Sequence, residues 1–121
     1  MELRAMIIQP MAGKARAEVF ETRERAIKRL EDMGYNVENS LFDMREAWLV
    51  AGGTTSVPLR YLAESLKVMS RCHAVYLCDG WADARGCRIE FAAASEYGLL
   101  TFFESSDQPP MANIEWGDSN A

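Results

Sequence analysis

Short runs of consecutive apolar residues alternate along the chain with longer segments in which apolar residues recur every three or four positions. The first spacing is typical of strands that are buried on both faces, and the second is typical of amphipathic helices. The runs predict strands at residues 4–9, 35–39, 73–78 and 99–104, the second of which has few β-branched residues. The longer segments predict helices at residues 15–33, 57–72 and 86–97.

Each of the first two predicted helices carries its apolar residues on one stripe. In the first helix, the charged residues of ETRERAIKRLED indicate a solvated face with ion pairs between successive turns. Gly34 follows this helix as a natural C-terminal stop, and Pro58 stands near the first turn of the second, where proline is tolerated. The stripes predict the core-facing residues Val19, Phe20, Ala26, Ile27 and Leu30 in the first helix, and Leu59, Leu62, Leu66 and Met69 in the second.

Two segments have no clear periodicity. In residues 40–56, LFDMREAW predicts either a short helix or an ordered loop, and GGTTS has the composition of a connector, for which we expect disorder or ordering by substrate. The tail from Ser105 contains two prolines, and it either wraps the surface or adds an edge strand.

Strands separated by helix-length segments predict an α/β fold with a parallel sheet and helices on both faces. Right-handed crossovers restrict it to a flavodoxin-like three-layer sandwich with four or five strands in the order 2-1-3-4, formed as one domain by residues 1–121. In such a sheet, ligands bind beyond the carboxyl ends of the strands where the strand order reverses. QPMAG follows the first strand and DGWADARG follows the third, so both lie at that point.

Composition and charge exclude several classes of protein. The 121 residues carry a net charge of -5, which disfavours binding to a nucleic-acid polymer, while a small anionic substrate needs only a few local arginines. No apolar run approaches the roughly 20 residues that cross a bilayer, so we expect a cytoplasmic protein without a membrane contact. The three cysteines form no CxxC pair, which favours free buried thiols over disulfides or a metal site, and we expect no cofactor.

Two carboxylates flank the predicted crevice. Asp79 ends the third strand, and Glu90 lies near the start of the following helix. A pair of carboxylates about 5 Å apart is the minimum for glycosidic bond chemistry by double displacement, because one attacks the anomeric carbon and the other handles the proton. Alternatively, Asp79 caps a turn, and Glu90 pairs with Arg85 or Arg88 at the surface.

The same residues carry a family resemblance. MIIQPMAGK at the start, YLAESLKVMSR, and the run from Cys72 to Glu104 resemble small domains, many of them phage or prophage encoded, of the nucleoside 2-deoxyribosyltransferase-like group. That group has a G-P-M-x-G turn after the first strand, then a strand, a G-W-x-x-S-R-G loop and a helix that carries a glutamate. Here the turn is residues 9–13, the loop is residues 80–86 and the glutamate is Glu90.

The resemblance implies a site and a possible activity. Glu90 is the implied nucleophile toward C1′ of a 2′-deoxynucleoside or its 5′-monophosphate, and Asp79 handles the base, which makes the chain a candidate deoxyribosyltransferase or N-glycosidase. It further implies a small-molecule nucleoside or nucleotide as the partner, and a homo-oligomer whose neighbouring subunit completes the site. The implied substrate-binding residues are Gln9, Met11, Gly13, Gly80, Trp81, Arg85 and Gly86: backbone at the glycines holds sugar or phosphate, Trp81 stacks on the base, and Arg85 pairs with an anionic group.

Departures from the family pattern leave other functions open. Gln9 stands where glycine is usual and is expected to narrow the first turn, and Ala84 replaces a serine. A domain that binds nucleotides without catalysis, or a phage accessory protein that binds another protein, therefore stands beside the enzyme as an alternative.

Overall fold

A computed structural model of the chain describes residues 2–40 and 57–105. These residues form four strands, three α-helices and one short 3-10 helix. The strands are β1 (Arg4–Ile8), β2 (Asn36–Val37), β3 (Ala74–Leu77) and β4 (Leu100–Phe103), and the helices are α1 (Arg16–Asp32), α2 (Val57–Met69), the 3-10 helix (Trp81–Asp83) and α3 (Arg85–Glu96). Predictions for LFDMREAW, for the connector GGTTS and for the tail beyond residue 105 lie outside the described residues.

The strands form one parallel sheet in the order β2-β1-β3-β4, which confirms the predicted α/β flavodoxin-like architecture. β1 and β3 lie side by side over four pairs, from Ala5 opposite Ala74 to Ile8 opposite Leu77. The connection after β1 leads to β2 on one side of β1, and the chain later returns to form β3 on the other side of β1. The carboxyl ends of β1 and β3 therefore mark the point where the strand order reverses.

The two faces of the sheet are covered by different helices. Alternate residues of the central strands point to opposite faces, so Ile7 and Tyr76 pack with Ala26 and Leu30 of α1. Their neighbours pack on α2 and α3 in a second cluster, which contains Met6, Ile8, Val75, Leu77, Val68, Met69, Phe91 and Ala94. No helix among residues 2–40 and 57–105 is long and apolar enough to cross a membrane.

Three predictions about the helix faces were wrong. Phe20 and Leu59 were expected in the core, yet 42% of the surface of Phe20 and 62% of the surface of Leu59 remain exposed to solvent. Phe20 instead lies beneath the Arg16 guanidinium, whose Cζ is 5.4 Å from the ring centroid. Arg23 was expected on the solvated face and is only 8% exposed, because it shares one stripe of α1 with Val19, Ala26 and Leu30.

The loops that follow β1 and β3 meet at the reversal point. Gly80 adopts a left-handed backbone conformation with φ +89°, and a Cβ placed on it would lie 3.5 Å from Cγ of Pro10. The Cys78 amide also donates a hydrogen bond of 2.9 Å to the Ile8 carbonyl. QPMAG and DGWADARG are thus in contact, as the strand order predicts.

Candidate functional site

Glu90 lies on the first half of α3, on the sheet face that α2 and α3 share, and it is half-buried. Its carboxylate accepts a hydrogen bond from the hydroxyl of Ser65, a buried residue of α2. Burial raises the pKa of Glu90 to about 7, although the Ser65 hydrogen bond and the positive charge of Arg23 oppose the rise. A carboxyl group of this kind is half ionised near neutral pH, as suits a nucleophile or an acid–base group.

Arg23 reaches the same region from α1, on the opposite face of the sheet. Its guanidinium acts electrostatically on Cys78, which follows β3, and on Glu90. One terminal nitrogen, Nη2, donates 3.1 Å to Oγ of Ser40, and that hydroxyl donates 3.1 Å to the Ile7 carbonyl. Burial lowers the pKa of Arg23, but an arginine keeps its charge in proteins, so a cation lies at the reversal point.

Gln9 follows β1 directly and is buried at 8% exposure. Its Nε2 donates 2.8 Å to the Val19 carbonyl in α1, which orients the side chain toward the α1 side of the sheet. Its Oε1 and the Nε of Arg23 are buried, and neither has a hydrogen-bond partner among the described residues. Buried polar atoms without partners are uncommon in proteins.

A cleft of about 350 Å³ opens between the first turns of α2 and α3. Leu62 and Gly86 lie on its walls, and they precede Ser65 and Glu90 by three and four residues, about one helical turn. The hydrogen-bonded pair of Ser65 and Glu90 therefore lies one turn below the lining residues. The cleft is lined by Pro58, Leu59, Leu62, Arg85, Gly86 and Ile89.

The predicted residues Arg85 and Gly86 line this cleft together, and the exposed Arg85 side chain gives it a positive rim. Its volume lies within the roughly 300–1,000 Å³ of small-molecule sites. Arg85, Gly86 and Glu90 therefore lie together in the first half of α3, on one face of the sheet.

Asp79 lies directly after β3 and before the 3-10 helix. It is exposed after β3, and its backbone amide donates 2.8 Å to Oε1 of Glu104. Burial, the Ser65 hydrogen bond and the positive charge of Arg23 shift the pKa of Glu90. Arg23 is thus a charged neighbour that acts on Glu90 from the other face of the sheet.

The remaining predicted residues divide between the loop and the core. Met11 and Gly13 are exposed in the turn after β1, and Gly13 has φ +76°. Trp81 is 1% exposed, and its ring packs 4.9 Å from that of Phe91 and 6.0 Å from that of Phe103. The predicted stacking of Trp81 on a base does not agree with this placement, because both faces of a core ring are already covered.

The three cysteines offer no nucleophile at neutral pH. Burial raises the pKa of Cys78 and of Cys87 to about 12, and that of the half-buried Cys72 to about 11. The thiolate is the reactive form, so these thiols stay protonated and inert. Among residues 2–40 and 57–105, no group of three or more His, Cys, Asp or Glu is placed to hold a metal ion.

Sequence reasoning missed Arg23, Ser40 and Ser65. A signal existed for two of them, because each polar residue stands on an apolar helical stripe. Arg23 follows Val19 by four residues, and Ser65 follows Leu62 by three. Ser40 has no such signal, since only the return of the chain after β2 brings its hydroxyl to β1.

The protein is thus an α/β flavodoxin-like domain with a half-buried glutamate, Glu90, and a buried arginine, Arg23, that act on each other electrostatically. The chain belongs to the family described as a domain of unknown function, DUF4406, whose model matches residues 6–103. Comparison with curated proteins and comparison with solved structures each gave no match.

Proposed function

We propose that this protein breaks or transfers the N-glycosidic bond of 2′-deoxynucleosides or their 5′-monophosphates, with Glu90 as the nucleophile. The observation that carries the proposal is the Glu90 carboxyl group itself. It is half-buried, it lies one helical turn from Gly86, which lines the cleft, it accepts a hydrogen bond from Ser65, and burial raises its pKa to about 7. The resemblance to the nucleoside 2-deoxyribosyltransferase-like group supports the same role.

The proposed reaction has two steps at one carbon. The ionised Glu90 carboxylate attacks C1′ of the sugar, the C1′–N bond breaks with its electron pair, and the base leaves with a proton. Water or a second base then attacks C1′, and the bond to the Glu90 oxygen breaks to restore the carboxylate. Asp79 is the proposed group that exchanges the proton with the base, and its exposure places it within reach of solvent.

The surrounding residues suit this role for physical reasons. Ser65 holds the Glu90 carboxylate in one orientation, and Arg23 opposes the effect of burial by favouring the ionised form. The apolar walls of the cleft, Leu62 and Ile89, fit a flat nucleobase, and Arg85 on its rim fits a 5′-phosphate. Near pH 7 roughly half of the molecules carry the ionised nucleophile.

Incubation with the four common 2′-deoxynucleosides and their 5′-monophosphates tests the proposal by the appearance of free base. We expect release by the wild-type protein and none by Glu90→Gln, which keeps the size of the side chain and loses the charge. Glu96→Gln is the matched control, because Glu96 is an exposed glutamate at the end of the same helix. Lack of release from all eight compounds, or equal release by Glu90→Gln, would rule out this activity.

Nucleotide binding without catalysis is the second candidate, and Gln9 favours it. Gln9 stands where the family pattern has a glycine, and its buried side chain, bonded to the Val19 carbonyl, occupies space beside the first turn. For a binding domain we expect nucleotides to raise the melting temperature without release of base. The homo-oligomer implied by the resemblance is a separate proposal, which light scattering after size-exclusion chromatography measures.

A further inference from the structure

Two buried polar atoms beside the reversal point have no partner among the described residues: Oε1 of Gln9 and Nε of Arg23. Both residues are 8% exposed, so bulk water does not reach the two atoms freely. A buried polar atom without a hydrogen-bond partner is unfavourable and uncommon.

The two side chains are neighbours on the α1 side of the sheet. Nε2 of Gln9 donates to the carbonyl of Val19, and that carbonyl is also the one that pairs with the Arg23 amide in an α-helix. Arg23 in turn donates to Ser40, whose hydroxyl bonds to Ile7, two residues before Gln9 in β1. These bonds fix the two side chains from both ends while leaving Oε1 and Nε unpaired.

The hydrogen-bonding capacity of the two atoms shows which chemical group could satisfy both of them. Oε1 of an amide only accepts a hydrogen bond, and Nε of a guanidinium only donates one. A bare anion satisfies the arginine but is repelled by the amide oxygen, and an ammonium group does the reverse. A hydroxyl group donates one hydrogen bond and accepts others, so it satisfies both atoms at once.

We infer that Gln9 and Arg23 form a subsite for one hydroxyl group of a sugar, and that this subsite orients the ligand relative to Glu90. Arg23 lies within electrostatic range of Glu90, although the two residues belong to helices on opposite faces of the sheet. The inference rests on the proposed function for its ligand, a 2′-deoxynucleoside. A water molecule has the same donor and acceptor capacity, and the experiment separates the two sources.

Calorimetric titration in a Glu90→Gln background measures dissociation constants without turnover. The probes are 2′-deoxynucleosides and their 2′,3′-dideoxy and 2′,5′-dideoxy analogues, which each lack one sugar hydroxyl. We expect Gln9→Met to weaken the 2′-deoxynucleoside roughly tenfold to a hundredfold, and to leave unchanged the analogue without the bound hydroxyl. Asn36→Ala is the control, because it removes a side-chain amide that bonds to Glu2 at the amino ends of the strands, away from Gln9.

If the Gln9→Met variant does not fold, two further measurements test the subsite without it. Arg23→Lys keeps the positive charge and loses Nε, so we expect the same selective loss. In the Gln9-containing protein, NMR signals of the Gln9 amide and the Arg23 Nε–H should move with the 2′-deoxynucleoside and not with the analogue lacking the bound hydroxyl.

The outcomes separate this inference from the proposed function. If nucleosides bind with equal affinity to the parent and to both variants, and if neither NMR signal moves, the subsite does not exist. The proposed reaction at Glu90 is not affected by that result, and water is then the partner of the two atoms. If no nucleoside binds to any of the proteins, both ideas are overturned.

Discussion

Replacement of Glu90 by glutamine should make the protein more stable at alkaline pH while it removes the proposed nucleophile. Burial raises the pKa of Glu90 from 4.5 to about 7 in the folded protein. Between these two values the unfolded chain has lost the Glu90 proton and the folded chain still binds it. Stability therefore falls as the pH rises from 4.5 to about 7, and it levels off above that window.

The size of the effect follows from the two pKa values. The difference between 4.5 and about 7, at about 1.4 kcal/mol for each pH unit, amounts to about 3 kcal/mol of unfolding free energy. Because Glu90 is only half-buried, solvent screening reduces this, and we expect about 1–3 kcal/mol. Glutamine has nearly the same shape and no charge, and its amide oxygen accepts the Ser65 hydrogen bond. The variant therefore does not lose the unfolding free energy that the wild type loses when the Glu90 carboxyl group ionises.

Urea unfolding followed by circular dichroism between pH 4 and pH 8.5 measures the effect. The two proteins should have similar unfolding free energies near pH 4, and Glu90→Gln should gain over the wild type as the pH rises to 7. Glu96→Gln, on the exposed end of the same helix, should track the wild type throughout. A wild-type curve that runs parallel to that of Glu90→Gln across the whole range would refute the argument that burial disfavours the Glu90 charge.

Three further results are expected. Arg23→Met should raise the pKa of Glu90 further in a carbon-13 NMR titration, because a neighbouring positive charge is lost. The control Arg88→Met, on the same helix as Glu90, should leave that pKa unchanged. Equal pKa values of Glu90 in the wild type and both variants would contradict the role of Arg23. Trp81→Ala should lower the unfolding free energy by about 3–5 kcal/mol in urea, since the ring fills the core, and a loss below 1 kcal/mol would contradict its burial. The thiol reagent DTNB at pH 7.5 should leave all three cysteines of the folded protein unlabelled for hours and label all three after unfolding; prompt reaction of a folded thiol would contradict their raised pKa values.

The central strands could be predicted because they are apolar on both sides. Residues of β1 and β3 are almost wholly buried, and such runs stand out from any helical spacing. The strand at residues 99–104 was expected to be buried as well, and that was wrong: Leu100 is 57% exposed and the rest of β4 is half-buried, because β4 lies at an edge of the sheet. β2 was predicted at residues 35–39 and contains only Asn36 and Val37, because pairing with β1 ends there. An edge strand has one neighbour, so its length depends on that neighbour rather than on its own residues.

Helix faces could be predicted only in part. A stripe of apolar residues shows which side of a helix faces inward, but it does not show how far the next element extends over it. Leu59 fits the stripe of α2 and is nevertheless exposed, because it lies at the mouth of the cleft between α2 and α3. The 3-10 helix at Trp81–Asp83 also went unpredicted, since three residues are too few for a periodic signal.

The sequence by itself determined the strand order, the two loops that meet at the reversal point and the choice of Glu90 as the residue to test. The first two follow from local spacing together with the handedness of parallel connections, and the choice of Glu90 follows from its placement together with the family resemblance. Only the tertiary structure decided the neighbours of Glu90. Ser65 comes from α2, Arg23 from the opposite face of the sheet, and both act on Glu90 across sequence separations of 25 and 67 residues. The pKa of Glu90 depends on burial and on those two groups, and packing sets both after the elements are formed.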